Sequence, residues 1–279
     1  MIVVSRSVIP DLARSTAAAR AFSALMALTG FMPALAPALG GLMLPVIGWR
    51  GIFWVLAAVN FIQVLLALGL PESLPADKRT SGGLRTLFPR IGRCLQRPAF
   101  VGYLLACALG FGALFSYIAA SPLVLQNQLG LSPTTFSLVF GALALSFPIS
   151  NALNMRLVRR VPPRKVLIGA LLIDASITTL LIFLSLGTLG WWFIPVLATL
   201  PMMSGFISAN ATALAVEEVR DIGAGAGSGA IGFVQFLVAA TVAPLAGLGT
   251  NHALAMAVSS FACAALGLAA VLLLTRRRG

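Results

Sequence analysis

Apolar residues run through this chain in long blocks instead of alternating or keeping to one helical face. A membrane-spanning helix needs about 20 mostly apolar residues, and eight stretches meet that length: 19–45, 52–70, 98–120, 134–156, 165–187, 191–214, 226–248 and 252–275. Polar residues are confined to the breaks between them. The one long polar break, residues 71–97, is the expected boundary between domains. Two spans precede it and six follow. Met1 to about Ala13 is too short to cross a bilayer and carries Arg6 and Asp11, so it reads as the tail of a helix whose beginning is missing. No cleavable signal peptide is evident, because Arg6 interrupts the short apolar start.

Composition says which solvent these blocks need. Of 279 residues, 59% are hydrophobic and only 9% charged, and the mean hydropathy is +1.00. A soluble domain carries about 25% charged residues, so this chain cannot cover its apolar mass with a polar shell. The bilayer is its solvent and first partner.

A net charge of +12 would point to nucleic acid in a soluble protein. Here it reports topology, because basic residues gather in the cytoplasmic loops of membrane proteins. Three flank the first connection (Arg6, Arg14, Arg20) and six lie between the second and third spans (Lys78, Arg79, Arg85, Arg90, Arg93, Arg97). Arg156, Arg159, Arg160, Arg164 and Lys165 follow the fourth span, Arg220 the sixth, and Arg276, Arg277 and Arg278 end the chain. Eighteen of the 19 basic residues thus fall on one side, with Arg50 alone on the other. Both termini are expected in the cytoplasm. No basic face interleaved with aromatics suggests nucleic acid binding. Cys94, Cys107 and Cys263 form no CxxC pair, and His252 has no partner at ligand spacing, so neither a disulfide nor a metal or cofactor site is expected.

A faint repeat runs through the chain. RSVIPD at 6–11 precedes a small-residue helix with APALGG at 36–41, and RDIG at 220–223 precedes another with APLAG at 243–247. Weak internal symmetry of this kind marks transporters built from repeated bundles. Chance likeness between two Ala/Gly-rich helices is the other explanation.

The motifs in chain order resemble the major facilitator superfamily, and within it the Bcr/CflA drug-resistance group of drug:proton antiporters. GFMPALAPALGG (30–41) is similar to the antiporter signature of that family's fifth helix. GWRGIFWVLA (48–57) resembles the start of its sixth helix and LPESLP (70–75) the exit. Residues 100–140 are similar to its seventh helix, outer loop and eighth helix, and GSGAIGFVQFLVAA (227–240) to its eleventh. The resemblance implies an all-α, polytopic bundle of about eight full transmembrane helices plus a partial N-terminal one. Residues 1–70 would be the remnant of the N-terminal half, 71–97 a cytoplasmic linker, and 98–279 the C-terminal six-helix half. It implies proton-coupled efflux of small hydrophobic or cationic compounds across a bacterial inner membrane by alternating access, with the proton gradient as energy source. The competing expectation is a truncated, transport-incompetent chain, inert or acting as a membrane scaffold. An enzyme is not expected, since no nucleophile motif is present.

Few residues can carry such chemistry. Asp174 is the only acid well inside a span, nine residues beyond Lys165 and so about 13 Å deeper along the helix. A carboxylate there costs a few kcal/mol on insertion scales, which suits either a proton-coupling group or a side chain bonded to a neighbouring helix. The amides Asn151, Asn210 and Gln235 must face a cavity or another helix. Phe111 and Phe115 share a face at i, i+4, and with Tyr117 they are candidates to line a drug cavity. Gly30, Pro37, Gly40, Gly41, Gly225 and Gly229 permit close approach of helices, and in the family their helices line the seam between halves. Arg156, Arg159 and Arg160 lie in NMRLVRRVPPRK (154–165), similar to a family loop motif. They are expected to latch onto Glu217, Glu218 and Asp221 across the cytoplasmic face.

Overall fold

The computed structural model describes residues 16–69, 83–187 and 190–275. Among them the chain is helical throughout, without a strand. Helix α1 (Thr16–Leu68) is broken at Gly48, whose φ of 64° and ψ of 174° lie where side chains other than glycine's are strained. Just past the break the Arg50 guanidinium sits 4.2 Å over the Trp49 ring. A short helix α2 (Gly83–Leu95) leads into α3 (Pro98–Pro122), which ends in a π-helical turn at Leu123–Gln128. Then come α4 (Pro133–Ala144), α5 (Ser146–Leu157), α6 (Pro163–Ser185), α7 (Phe193–Leu197), α8 (Thr199–Glu218), α9 (Ala224–Leu245) and α10 (His252–Leu274).

Local chemistry sets these boundaries. Proline opens α3, α4 and α6, where its missing N–H costs nothing. The Ser132 hydroxyl caps α4 by accepting from the Thr135 amide at 3.2 Å. Asn251 caps α10 in the same way, accepting from Leu254 at 3.1 Å. The two runs expected at 134–156 and 191–214 are each divided, at Leu145 and at Ala198. The cause is a proline three residues further on: Pro148 and Pro201 cannot donate to Ala144 and Leu197, so the ladder lapses there. In the same way α2 occupies the part of 71–97 that was expected to be plain linker. Residues 70–82, with LPESLP and the start of the linker, and residues 1–15, with RSVIPD, lie outside the described residues.

Seven helical stretches among the described residues are long and apolar enough to cross a membrane: Leu39–Leu68, Pro98–Gln128, Pro133–Leu157, Pro163–Ser185, Phe193–Glu218, Gly225–Leu245 and His252–Leu274. The expected first span, 19–45, forms the leading part of α1, and the structure describes its side chains only in part. Helix α3 is the hub, packed against α8, α9 and α10, while α6 packs on α8 and α10 and α5 on α8. Helix α1 joins this bundle through α4. Beyond that contact its apolar side chains, among them Phe53 and Trp54, are exposed, as a span in lipid allows.

Lipid tails are as apolar as leucine, so packing and interhelical hydrogen bonds must hold the spans together. Ser116 and Ser259 meet at 2.6 Å between α3 and α10. The Asn251 amide donates to the Ser185 carbonyl at 2.8 Å, which ties the start of α10 to the end of α6 and makes them antiparallel.

Candidate functional site

Asp174 sits on the buried face of α6 with Leu171, Thr178 and Leu181, and is 2% exposed. Helix α6 packs against α8 and α10, so the carboxylate lies inside the bundle and not against lipid. Its titratable neighbour is Cys263 on α10. The Asp174 backbone carbonyl accepts from the Thr178 hydroxyl at 2.7 Å. No side-chain donor among the described residues reaches the carboxylate, so the interhelical bond expected of a packing aspartate is not made there. One turn before Cys263 on α10, the buried Ser260 hydroxyl has no partner among the described residues.

The candidate cavity residues divide into three places. Phe111 and Phe115 on α3 are half-buried, with ring centroids 4.7 Å apart, and Phe236 of α9 meets Phe111 edge-on at 5.4 Å. Gln235 borders them, its Nε2 donating to Cys107 Sγ at 3.1 Å, and Cys107 lies 3.2 Å from the Thr212 hydroxyl on α8. Tyr117 does not join this group. It points from another face of α3 into the outer core, stacked on Phe140 at 5.5 Å, and its buried hydroxyl has no partner among the described residues. Asn210 is 2% exposed and donates to Asn154 Oδ1 at 2.7 Å, an interhelical bond between α8 and α5. Asn151 is spent on its own helix, donating to the Phe147 carbonyl at 3.0 Å. Phe236 was missed in the sequence; its place directly after Gln235 on a small-residue helix was the available signal.

Of the glycines expected at a seam, Gly41 is buried against α4, where an added Cβ would run into the Ser137 side chain. A Cβ added at Gly40, Gly225 or Gly229 would meet nothing among the described residues within 4 Å. The close approach on α9 belongs to Gly227, where a Cβ would lie 2.6 Å from a Val219 methyl. The packing of Gly30 and Pro37 lies outside the described residues.

The expected latch is not formed. Asp221 pairs with Arg97, which donates from both terminal nitrogens at 2.8 and 2.5 Å and also reaches the Glu218 carbonyl. Among the described residues Glu217 meets only Arg220, at 3.7 Å and one turn away. Arg156, Arg159 and Arg160 instead line an open recess of about 610 Å³ with Leu153, Leu157 and Phe206. The reason is topological. Arg97 opens α3, the hub against which the α8–α9 corner packs, whereas Arg156 to Arg160 end α5, on the far side of α8. The Arg97 guanidinium holds the Asp221 carboxyl below the usual carboxylate range. Among the described residues no group of three His, Cys, Asp or Glu side chains could hold a metal.

A bundle of seven apolar spans, held by small-residue contacts and polar bridges at membrane depth, defines a multi-pass α-helical membrane protein. The Major Facilitator Superfamily profile matches residues 1–244. The chain belongs to that superfamily, whose members are transporters and not enzymes. It is 31% identical to the MFS-type transporter YdgK of Bacillus subtilis over 99% of this chain and 70% of the relative. It is 26% identical, over the same shares of the two chains, to a bicyclomycin resistance protein homolog of Haemophilus influenzae. The chloramphenicol resistance protein CraA of Acinetobacter baumannii is 27% identical over 49% of this chain and 33% of its own length.

Proposed function

We infer that the chain is a proton-coupled exporter of small hydrophobic or cationic compounds, working by alternating access in the bacterial inner membrane with its C-terminus in the cytoplasm. The observation that carries the reading is the aromatic surface formed by the half-buried Phe111 and Phe115 with the exposed Phe236, edged by the Gln235 amide. Aromatic faces bind apolar bodies without strict geometry and attract cations through the ring quadrupole, while one amide supplies orientation. Resistance names among the relatives agree with such substrates. The α1–α4 contact at Gly41 is the joint about which the two sides rock, and the basic loops fix the cytoplasmic side.

Asp174 is the coupling group in this reading. It is the one acid deep in a span, it is enclosed by protein, and no side-chain donor among the described residues holds it. The test is export of a fluorescent cation from cells lacking other pumps, with and without a protonophore. Export collapses with the proton gradient, and Asp174→Asn inserts at wild-type levels but loses the pH dependence. Gradient-independent export overturns proton coupling, and unchanged pH dependence in Asp174→Asn returns that residue to packing.

A further inference from the structure

Helix α2 separates apolar from basic residues more sharply than any other helix of the chain. At 100° per residue Phe88, Ile91, Cys94 and Leu95 fall on one arc, and Arg90 and Arg93 on the other. The bundle covers only part of the apolar arc. Cys94 is fully buried and Ile91 packs on the core, beside the ends of α3 and α9. Phe88 stays 68% exposed and Leu95 46%.

Depth follows from the connection. Only Gln96 and Arg97 separate α2 from the span that opens at Pro98, and two residues reach at most about 7 Å. The helix is therefore tethered at the bilayer surface, within reach of the acyl boundary. Arg90 and Arg93 have no ion-pair partner among the described residues. Together with Gln96, Arg97, Asp221 and Ile222 they line a recess of about 510 Å³. Asp221 is already engaged by Arg97, which leaves the recess with two guanidinium groups that no carboxylate among the described residues meets.

We propose that α2 docks on an anionic phospholipid leaflet, with Phe88 and Leu95 entering the acyl boundary and Arg90 and Arg93 holding a phosphate-bearing headgroup in the recess. The charge of the recess matches an anionic headgroup. The site is separate from the aromatic surface and does not depend on transport.

The experiment is native mass spectrometry of the full chain in neutral detergent, titrated with phosphatidylglycerol or phosphatidylcholine. Phosphatidylglycerol should be retained in preference. Each positive charge removed should weaken it about fivefold, so Arg90→Gln with Arg93→Gln should lose roughly twenty-fivefold. Phe88→Ser should weaken retention independently of salt. Arg90→Lys with Arg93→Lys keeps the charge and should keep the lipid at the same melting temperature. Equal retention of phosphatidylcholine, no loss in the double glutamine variant, or failure of the lysine pair would each overturn the proposal. Displacement of the lipid by millimolar inorganic phosphate would overturn it too, by making the recess a site for the free anion.

Discussion

A methyl group added at Gly112 tests how tightly α3 is held against α9. An ideal Cβ there would lie 2.8 Å from Val238 Cγ1, with Cys263 Sγ and Val242 Cγ2 each at 3.5 Å. The last two are ordinary contacts, so the strain falls on Val238. Valine in a helix keeps essentially one χ1 rotamer, and its methyl cannot swing away. The helices must part by nearly 1 Å instead, and overpacking of this kind costs about 1–3 kcal/mol. The helix propensity gained from Gly to Ala, up to about 1 kcal/mol, offsets part of that. Gly112→Ala should therefore destabilise, while Val238→Ala in the same chain removes both methyls and lets the new one into the space. The pair takes two methyls from α9 and adds one to α3, and with the clash removed the double variant should recover most of the loss. Thiol-reactive dye uptake during heating reads this directly, because Cys94, Cys107 and Cys263 are all buried. An unchanged melting temperature for Gly112→Ala, or additive losses in the double variant, would refute the packing argument.

Further expectations follow from the seam, the ion pair and the topology. Gly41→Ala should drive α1 off α4 and impair transport, and Ser137→Gly should restore it, because the next atom in line is the Pro133 carbonyl oxygen at 3.9 Å. Arg97→Gln should free the α8–α9 corner and speed amide exchange at Ile222 and Gly223. Since Arg97 lowers the Asp221 pKa, the wild-type pair is intact above the ordinary aspartate range of about 3.9. It is lost only as pH falls through the lower folded value, so exchange in the wild type should approach the variant's only in acid. Reporter fusions after Arg90 and after Arg160 should read cytoplasmic and one near Gly130 periplasmic; opposite signals at any of them would reverse the orientation.

The spans were legible because a bilayer demands one unmistakable pattern, a run of some 20 apolar residues. Periodicity does not show where a run bends. Pro148 and Pro201 were visible, yet membrane helices tolerate proline often enough that only the structure shows the ladder lapsing at Leu145 and Ala198. The site was legible by residue type and not by neighbour. Asn210 and Gln235 look alike in sequence, and the crossing of α8 with α5 is what ties one to Asn154 while the other borders Phe111 and Phe236. Asp221 was paired with the wrong arginines for the same reason: charge complementarity names the partners' chemistry, and topology chooses Arg97. The amphipathic arc of α2 was present in the letters but was hidden inside a stretch read as linker.

Three glycines on α3 each receive a different part of the bundle. Gly102 lies against Ala270 and Thr275 at the end of α10, Gly110 against Ile207 of α8, and Gly112 against Val238 of α9. A helix gripped on three faces at backbone range can neither roll nor slide past one neighbour without colliding with another. For anyone placing spectroscopic labels, the C-terminal bundle is then a fixed frame. Label pairs confined to α3, α8, α9 and α10 should report constant distances, and under the rocking motion proposed above the changes should appear in pairs that straddle the Gly41 contact.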